Sequence, residues 1–187
     1  AGVTRLRGFA FHPIEISMTN PVTLAIDTAR ERLQLALLLA DGHVDPDVTD
    51  IAKGHAEIIM GKIDALLSRN GLDYSGLDRI AVTTGPGSFT GLRVGLSVAR
   101  TSHVTIDIAV IGVPTLFAIS LGHQGQSEII LDAGRSEAYR QLFSAPGIAA
   151  GQPELTDLRH SLQTASRAAS DDWRVDIAAM ARFAAKA

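Results

Sequence analysis

The sequence predicts an α/β fold with mixed-direction sheets and flanking helices. Three observations point there: an apolar strand pair across residues 22–40, apolar runs alternating with helical patterns from 55 to 120, and a second strand pair across 127–145. In the first pair "VTLAID" reads as a buried strand, "TARER" as a polar turn and "LQLALLLA" as the returning strand, so the first strands are antiparallel. "HVDPDVTDIAKG" is irregular, with room for a third strand at its end. In "HAEIIMGKIDALLSRNG", Ile59, Ile63, Leu66 and Leu67 recur at helical spacing and Asn70-Gly71 supplies a stop. "LDRIAVTTGPG" gives a strand and loop, "SFTGLRVGLSVARTSH" a helix, "IAVIGV" a strand and "PTLFAIS" the start of a further helix. "SEIILDA" and "EAYRQLFSA" flank a "GRS" turn, and the alanine-rich remainder is helix-prone, closing in "VDIAAMARFAAKA". A boundary falls near "SLGHQGQS", which divides the chain into an extension (1–17), a first lobe (18–122) and a second (123–187).

Composition bounds the function. With 46% hydrophobic residues and 20% charged, 187 residues are enough for a buried core. Lys and Arg number 17 against 20 acids, and no run of five basic residues marks a nucleic-acid footprint. The absence of cysteine excludes disulfides, thiol nucleophiles and Cys-ligated metals. No apolar run reaches the roughly 18 residues of a membrane span, so a soluble, cytoplasmic chain is expected. Residues 1–17 precede Met18, and their apolar part "GFAF" is too short for a secretory signal; they read as an extension, either from an upstream start or added for expression.

The glycine-rich stretch "GPGSFTGLRVG" invites a nucleotide, but its spacing fits none of the usual cradles. No lysine follows as a Walker A loop requires, Gly85, Gly87 and Gly91 are spaced G-x-G-x-x-x-G, and Ser88 directly follows a glycine where a serine elbow needs G-x-S. Two readings remain. The N–H groups of Gly87, Ser88 and Phe89 face an anion at a helix start, or Ser88 or Thr90 caps that helix. Within the helix, Gly91, Gly95 and Ala99 share one face, and two helical glycines imply close approach of a backbone, from this chain's own sheet or from a partner. Arg93 neighbours that face. A second apolar edge, Ala52, Ala56 and Met60, makes the preceding helix wider than one contact requires.

No two of the six histidines lie three to five residues apart, so no single helix face offers a His pair to a metal. Asp27 at the end of the first strand is either a functional carboxylate or one bonded to local N–H groups. Asp132 and Arg135 flank the second hairpin turn, as an ion pair or as a ligand site. No catalytic or metal-binding residue is assigned, and the candidates for cofactor contact are Asp27, Thr28, Gly87 and Ser88.

"LAIDTA", "HAEIIMGKIDALL", "GPGSFTGLRVGLSVA", "VIGVPTL" and "LDAGRSEAY" occur in the order and approximate spacing of the TsaB (YeaZ) family, and "DIAAMARFAAKA" resembles that family's last helix. The resemblance covers about residues 22–143. It implies actin-like, sugar-kinase-like lobes of the ribonuclease H-like kind, the second reduced. It implies a non-catalytic scaffolding and activating subunit for making threonylcarbamoyladenosine in tRNA, partnered by a TsaD-like catalytic subunit. A TsaE-like ATPase joins the assembly, tRNA is engaged indirectly, and the chain forms a homodimer when alone. No intrinsic cofactor is implied, although ATP or ADP has a place at a partner interface. The resemblance also puts the helices near 55–69 and 89–103 in a bundle with the partner or a second copy. That assigns His55, Ile59, Lys62, Ile63, Leu66, Gly91, Arg93, Gly95 and Ala99 to the interface. The alternative functions are an independent ATPase or phosphotransferase using Asp27 and the glycine loop, and, more remotely, a glycoprotease-like peptidase, for which no nucleophile, metal pair or acid/base set is in view.

Overall fold

The computed structural model describes residues 19–165 and 174–187, so the stretch 1–17 read as an extension lies outside the described residues. Two sheets organise the chain. The first has five strands in the order β3-β2-β1-β4-β5 and comprises β1 (Thr23–Arg30), β2 (Arg32–Leu38), β3 (Val44–Asp50), β4 (Arg79–Thr83) and β5 (Ala109–Val113). β1, β2 and β3 pair antiparallel, while β4 runs parallel to β1 and β5 parallel to β4. The result is a mixed-direction sheet whose first strands are antiparallel, as the sequence predicts. The second sheet is smaller. β6 (Ser127–Gly134) and β7 (Glu137–Ala145) form a hairpin, and the short strands β8 (Ile148–Ala149) and β9 (Glu154–Asp157) both pair with β7.

The two faces of the first sheet differ in side-chain size, and this decides what packs on each. Leu24, Ile26, Leu33, Leu35, Leu37, Ile80 and Val82 form one face, covered by helices α1 (His55–Arg69) and α2 (Phe89–Ile106) through Ile59, Ile63, Leu66, Leu67 and Ala99. The other face carries Ala25, Ala36, Leu38 and Ala81. Against it lies the closing helix α5 (Ile177–Ala184), whose Met180, Ala181 and Ala184 join the same core, with α3 (Thr115–Ser120) and the inner side of the second sheet completing it. Small residues on both partners let α5 sit close. Arg79 of β4 fastens its end by donating to the carbonyls of Ala184 and Ala187 at 2.9 and 2.6 Å. A short helix α4 (Leu158–Thr164) contacts the second sheet.

Local rules account for the helix ends. α1 stops in a Schellman turn: Gly71 takes a positive φ of 68°, its N–H reaches the Ser68 carbonyl, and the Leu72 N–H reaches that of Leu67, both at 3.0 Å. α2 begins at Ser88, whose Oγ accepts from the Gly91 N–H at 3.3 Å.

Three readings need correction. β1 continues through Arg30, so "TARER" is mostly strand and only Glu31 separates β1 from β2. The third strand occupies the middle of its irregular stretch rather than the end. Its Pro46 is tolerated because β3 is an edge strand, and its acids are held from α1: Lys62 Nζ meets Asp47 at 3.1 Å, and Arg69 meets Asp45 at 2.7 Å and Asp47 at 3.2 Å. The alanine-rich remainder holds two strands before its helices.

α2 is pressed onto β1. A Cβ added at Gly91 would stand 2.0 Å from the Thr28 carbonyl oxygen, and one at Gly95 would stand 2.6 Å from Thr28 Oγ1. Gly91→Ala is therefore expected to lower stability by about 1–3 kcal/mol despite alanine's better helix propensity. Gly61→Ala in α1, where a Cβ meets nothing within 4 Å, should instead gain up to about 1 kcal/mol, and urea unfolding of the pair tests the contrast.

The Asp45 carboxyl is held below the usual carboxylate range, first by its hydrogen bonds from Arg69. A depressed folded value adds stability that is present above the unfolded value of about 3.9 and is lost as pH falls through the lower folded one. Asp45→Asn should cost less than about 1 kcal/mol at neutral pH, because the pair is partly exposed, and the deficit should shrink in acid unfolding series as pH falls below the unfolded value of about 3.9.

Candidate functional site

The end of β1 and the glycine loop meet, but their polar groups bind one another. Asp27 is buried, and its carboxylate accepts from the Ala29 N–H at 3.0 Å, Gln34 Nε2 at 3.0 Å and Thr83 Oγ1 at 2.8 Å. Of the two readings open for Asp27, the geometry matches the locally bonded carboxylate. Thr28 is wholly buried beneath α2, its Oγ1 without a hydrogen-bond partner. The Ser88 N–H donates to the Ala29 carbonyl at 2.6 Å, and a Cβ on Gly87 would stand 2.4 Å from that same oxygen. One of the three N–H groups considered for an anion is thus occupied by β1. A cleft of about 440 Å³ between the sheets is lined from one side by Arg30, Glu31 and Ser88 and from the other by Asp132 and Tyr139. Asp132 does not pair with Arg135 as considered from sequence: it accepts from the Gly134 N–H at 2.6 Å, which shapes the turn in which Arg135 and Ser136 take positive φ.

The surface formed by α1 and α2 is different in kind. Most of the residues assigned from sequence to a partner interface face inward. His55, Ile59, Ile63, Leu66, Gly91, Gly95 and Ala99 are all buried in this chain, and the backbone that the glycines admit is that of β1. Lys62 is half-buried and held by Asp47. Arg93 alone of the nine is exposed. Around it runs a groove of about 440 Å³ between the two helices, lined chiefly by Ala56, Met60, Phe89, Arg93, Val94 and Ser97. Met60 is 47% exposed and Phe89 68%, large for apolar side chains, and the Arg93 guanidinium stacks over the Phe89 ring at 3.9 Å.

Met60 belongs to the second apolar edge read from the sequence, whereas Phe89 was missed. Its signal was available: an aromatic at the first helical position, four residues before Arg93, lies on the side of the helix away from the Gly91–Gly95–Ala99 face. Among the described residues, no group of three or more histidines and acids is placed to hold a metal, and no helix is long and apolar enough to cross a membrane.

Comparison with known proteins places this architecture. The family model of TsaD, tRNA N6-adenosine threonylcarbamoyltransferase, matches residues 30–145. The chain belongs to this family, in its TsaB (YeaZ) branch. The tRNA threonylcarbamoyladenosine biosynthesis protein TsaB of Bacillus subtilis is 35% identical over 123 residues, 64% of this chain and 54% of that protein. Its Escherichia coli counterpart is 31% identical over 121 residues, 62% of this chain and 52% of that protein. The solved structure of YeaZ from Pseudomonas aeruginosa superposes with a TM-score of 0.68 at 26% identity, covering 73% of this chain and 68% of that one. The chain spans about half the length of the curated TsaB relatives it matches.

The bonds at Asp27 make a prediction separate from the helical surface. Asp27→Ala strands three buried donors and is expected to cost about 3 kcal/mol in chemical denaturation, while the folded fraction keeps whatever partner affinity the wild type has.

Proposed function

We propose that this chain is the non-catalytic, activating subunit of a complex that forms threonylcarbamoyladenosine in tRNA, and that it docks a TsaD-type catalytic subunit through the α1–α2 groove. The observation that carries this is the exposed apolar surface at Met60 and Phe89 on two helices that the sheet holds rigidly from behind. A monomer gains nothing by exposing these side chains side by side, whereas an interface core is made of such groups. Membership of the TsaB branch supplies the kind of partner. A TsaE-like ATPase, ATP or ADP at the partner interface, and tRNA engaged through the catalytic subunit belong to the same proposal. So does a homodimer through this groove when the partner is lacking, and a cytoplasmic setting.

Met60→Glu and Phe89→Asp change exposed positions and should leave thermal unfolding within about 0.5 kcal/mol of wild type. Each is expected to weaken co-purification with the TsaD-type subunit at least tenfold and to lower threonylcarbamoyladenosine in tRNA to the same degree. Undiminished binding in both variants, or a wild type that binds no such subunit, would falsify the proposal.

A further inference from the structure

α2 has a charge pattern that specifies its partner more closely than an apolar groove does. Its 18 residues, "FTGLRVGLSVARTSHVTI", contain no acid. Turning the helix by 100° per residue brings Phe89, Arg93, Leu96, Arg100 and Val104 onto one crest, on the side away from the face that Gly91, Gly95 and Ala99 press on the sheet. All five crest residues are exposed. Arg93 and Arg100 stand two turns apart, about 10 Å along the axis, and among the described residues neither has a carboxylate partner. The basic residues of α1 are engaged differently, Lys62 and Arg69 being matched by Asp47 and Asp45 of β3. In a chain of net charge −3, the crest of α2 is thus a locally positive and apolar strip.

We propose that the partner surface received here is an amphipathic helix carrying two carboxylates about seven residues apart, flanking apolar side chains that fill the groove by Met60 and Phe89; this rests on the docking reading above. Stacking on Phe89 holds the Arg93 guanidinium in place, so little side-chain freedom is lost when a carboxylate meets it. Arginine beside an aromatic at the edge of an apolar groove is also the composition of an interface hot spot. A second copy of this chain fits less well. Packing α2 on α2 about a twofold axis sets arginine against arginine. Packing α2 on α1 offers Glu57 and Asp64 at the right spacing, but Asp64 already accepts from the Tyr74 hydroxyl at 2.8 Å, so one of the two carboxylates is committed within its own chain. The committed occupant is therefore a different chain, the acidic helix of the TsaD-type subunit.

The test measures binding of the full chain to the TsaD-type subunit of the same organism across ionic strength, for wild type, Arg93→Gln/Arg100→Gln, Arg93→Glu/Arg100→Glu and Met60→Glu. Wild-type affinity is expected to fall with added salt. The double Gln variant should flatten that dependence, and the double Glu variant should bind at least tenfold more weakly at low salt, with recovery when two acids of the partner helix are changed to Lys. If Met60→Glu abolishes binding while both arginine variants keep wild-type affinity and salt dependence, the docking reading stands and the acidic-helix inference is wrong. If Met60→Glu and both arginine variants bind like wild type, the docking reading itself fails. Sedimentation supplies the remaining outcome: arginine variants that lose self-association but keep the heterologous complex would make a second copy the occupant and overturn the proposal.

Discussion

The close seating of α2 on the end of β1 is the constraint on which the rest of the molecule depends. Gly87, Gly91 and Gly95 each face Thr28 or Ala29 at distances that leave no room for a Cβ, and the Ser88 N–H bonds the Ala29 carbonyl where the loop turns into the helix. A side chain on this face would lift α2 off the sheet, and with it Ala99 from the core that it shares with Ile26 and Val82. The neighbouring Asp27 lies in the same place for the same reason: its bonds to Ala29, Gln34 and Thr83 fix the last turn of the strand against which the helix rests. The height of α2 then sets how it stands beside α1, and so the form of the groove between them.

That seating works only because the sheet's faces are unequal. Leucine and isoleucine fill the side under α1 and α2, where two helices must be supported at ordinary packing distance, while alanines on the reverse let the alanine-rich α5 lie close. With α5, α3 and the second sheet sealing the reverse side, none of the described elements forms a layer over the outward surface of α1 and α2. The apolar groups found there belong to an outer face that no other described element buries.

Much of this architecture was legible in the sequence because burial leaves a period. The apolar run of "VTLAID", the helical spacing of Ile59, Ile63 and Leu66, and the turn at Asn70-Gly71 each mark their element correctly. β3 was obscured because an edge strand stabilised by ion pairs has acids and a proline where a central strand has leucine. Strands as short as β8 and β9 leave too few residues for any period to show. The helical glycines show where spacing stops being informative. Spacing shows that Gly91, Gly95 and Ala99 share a face and that some backbone comes near it, but spacing alone does not name the backbone, and it is that of β1.

Turning that face inward also changes what counts as the outer surface of α2. With the small residues committed to the sheet, the far crest is the part open to a partner, and there the residues are Phe89, Arg93, Leu96, Arg100 and Val104. Apolar area and unpaired charge divide the work of recognition. In the proposed complex, groove residues such as Met60 and Phe89 would supply the buried area that slows dissociation, whereas arginines without a carboxylate partner among the described residues would guide approach and fix the register of an incoming helix. The ion pairs between β3 and α1 fit this division, since they engage the basic residues Lys62 and Arg69 of the neighbouring helix within the chain and leave the unpaired positive charge on α2.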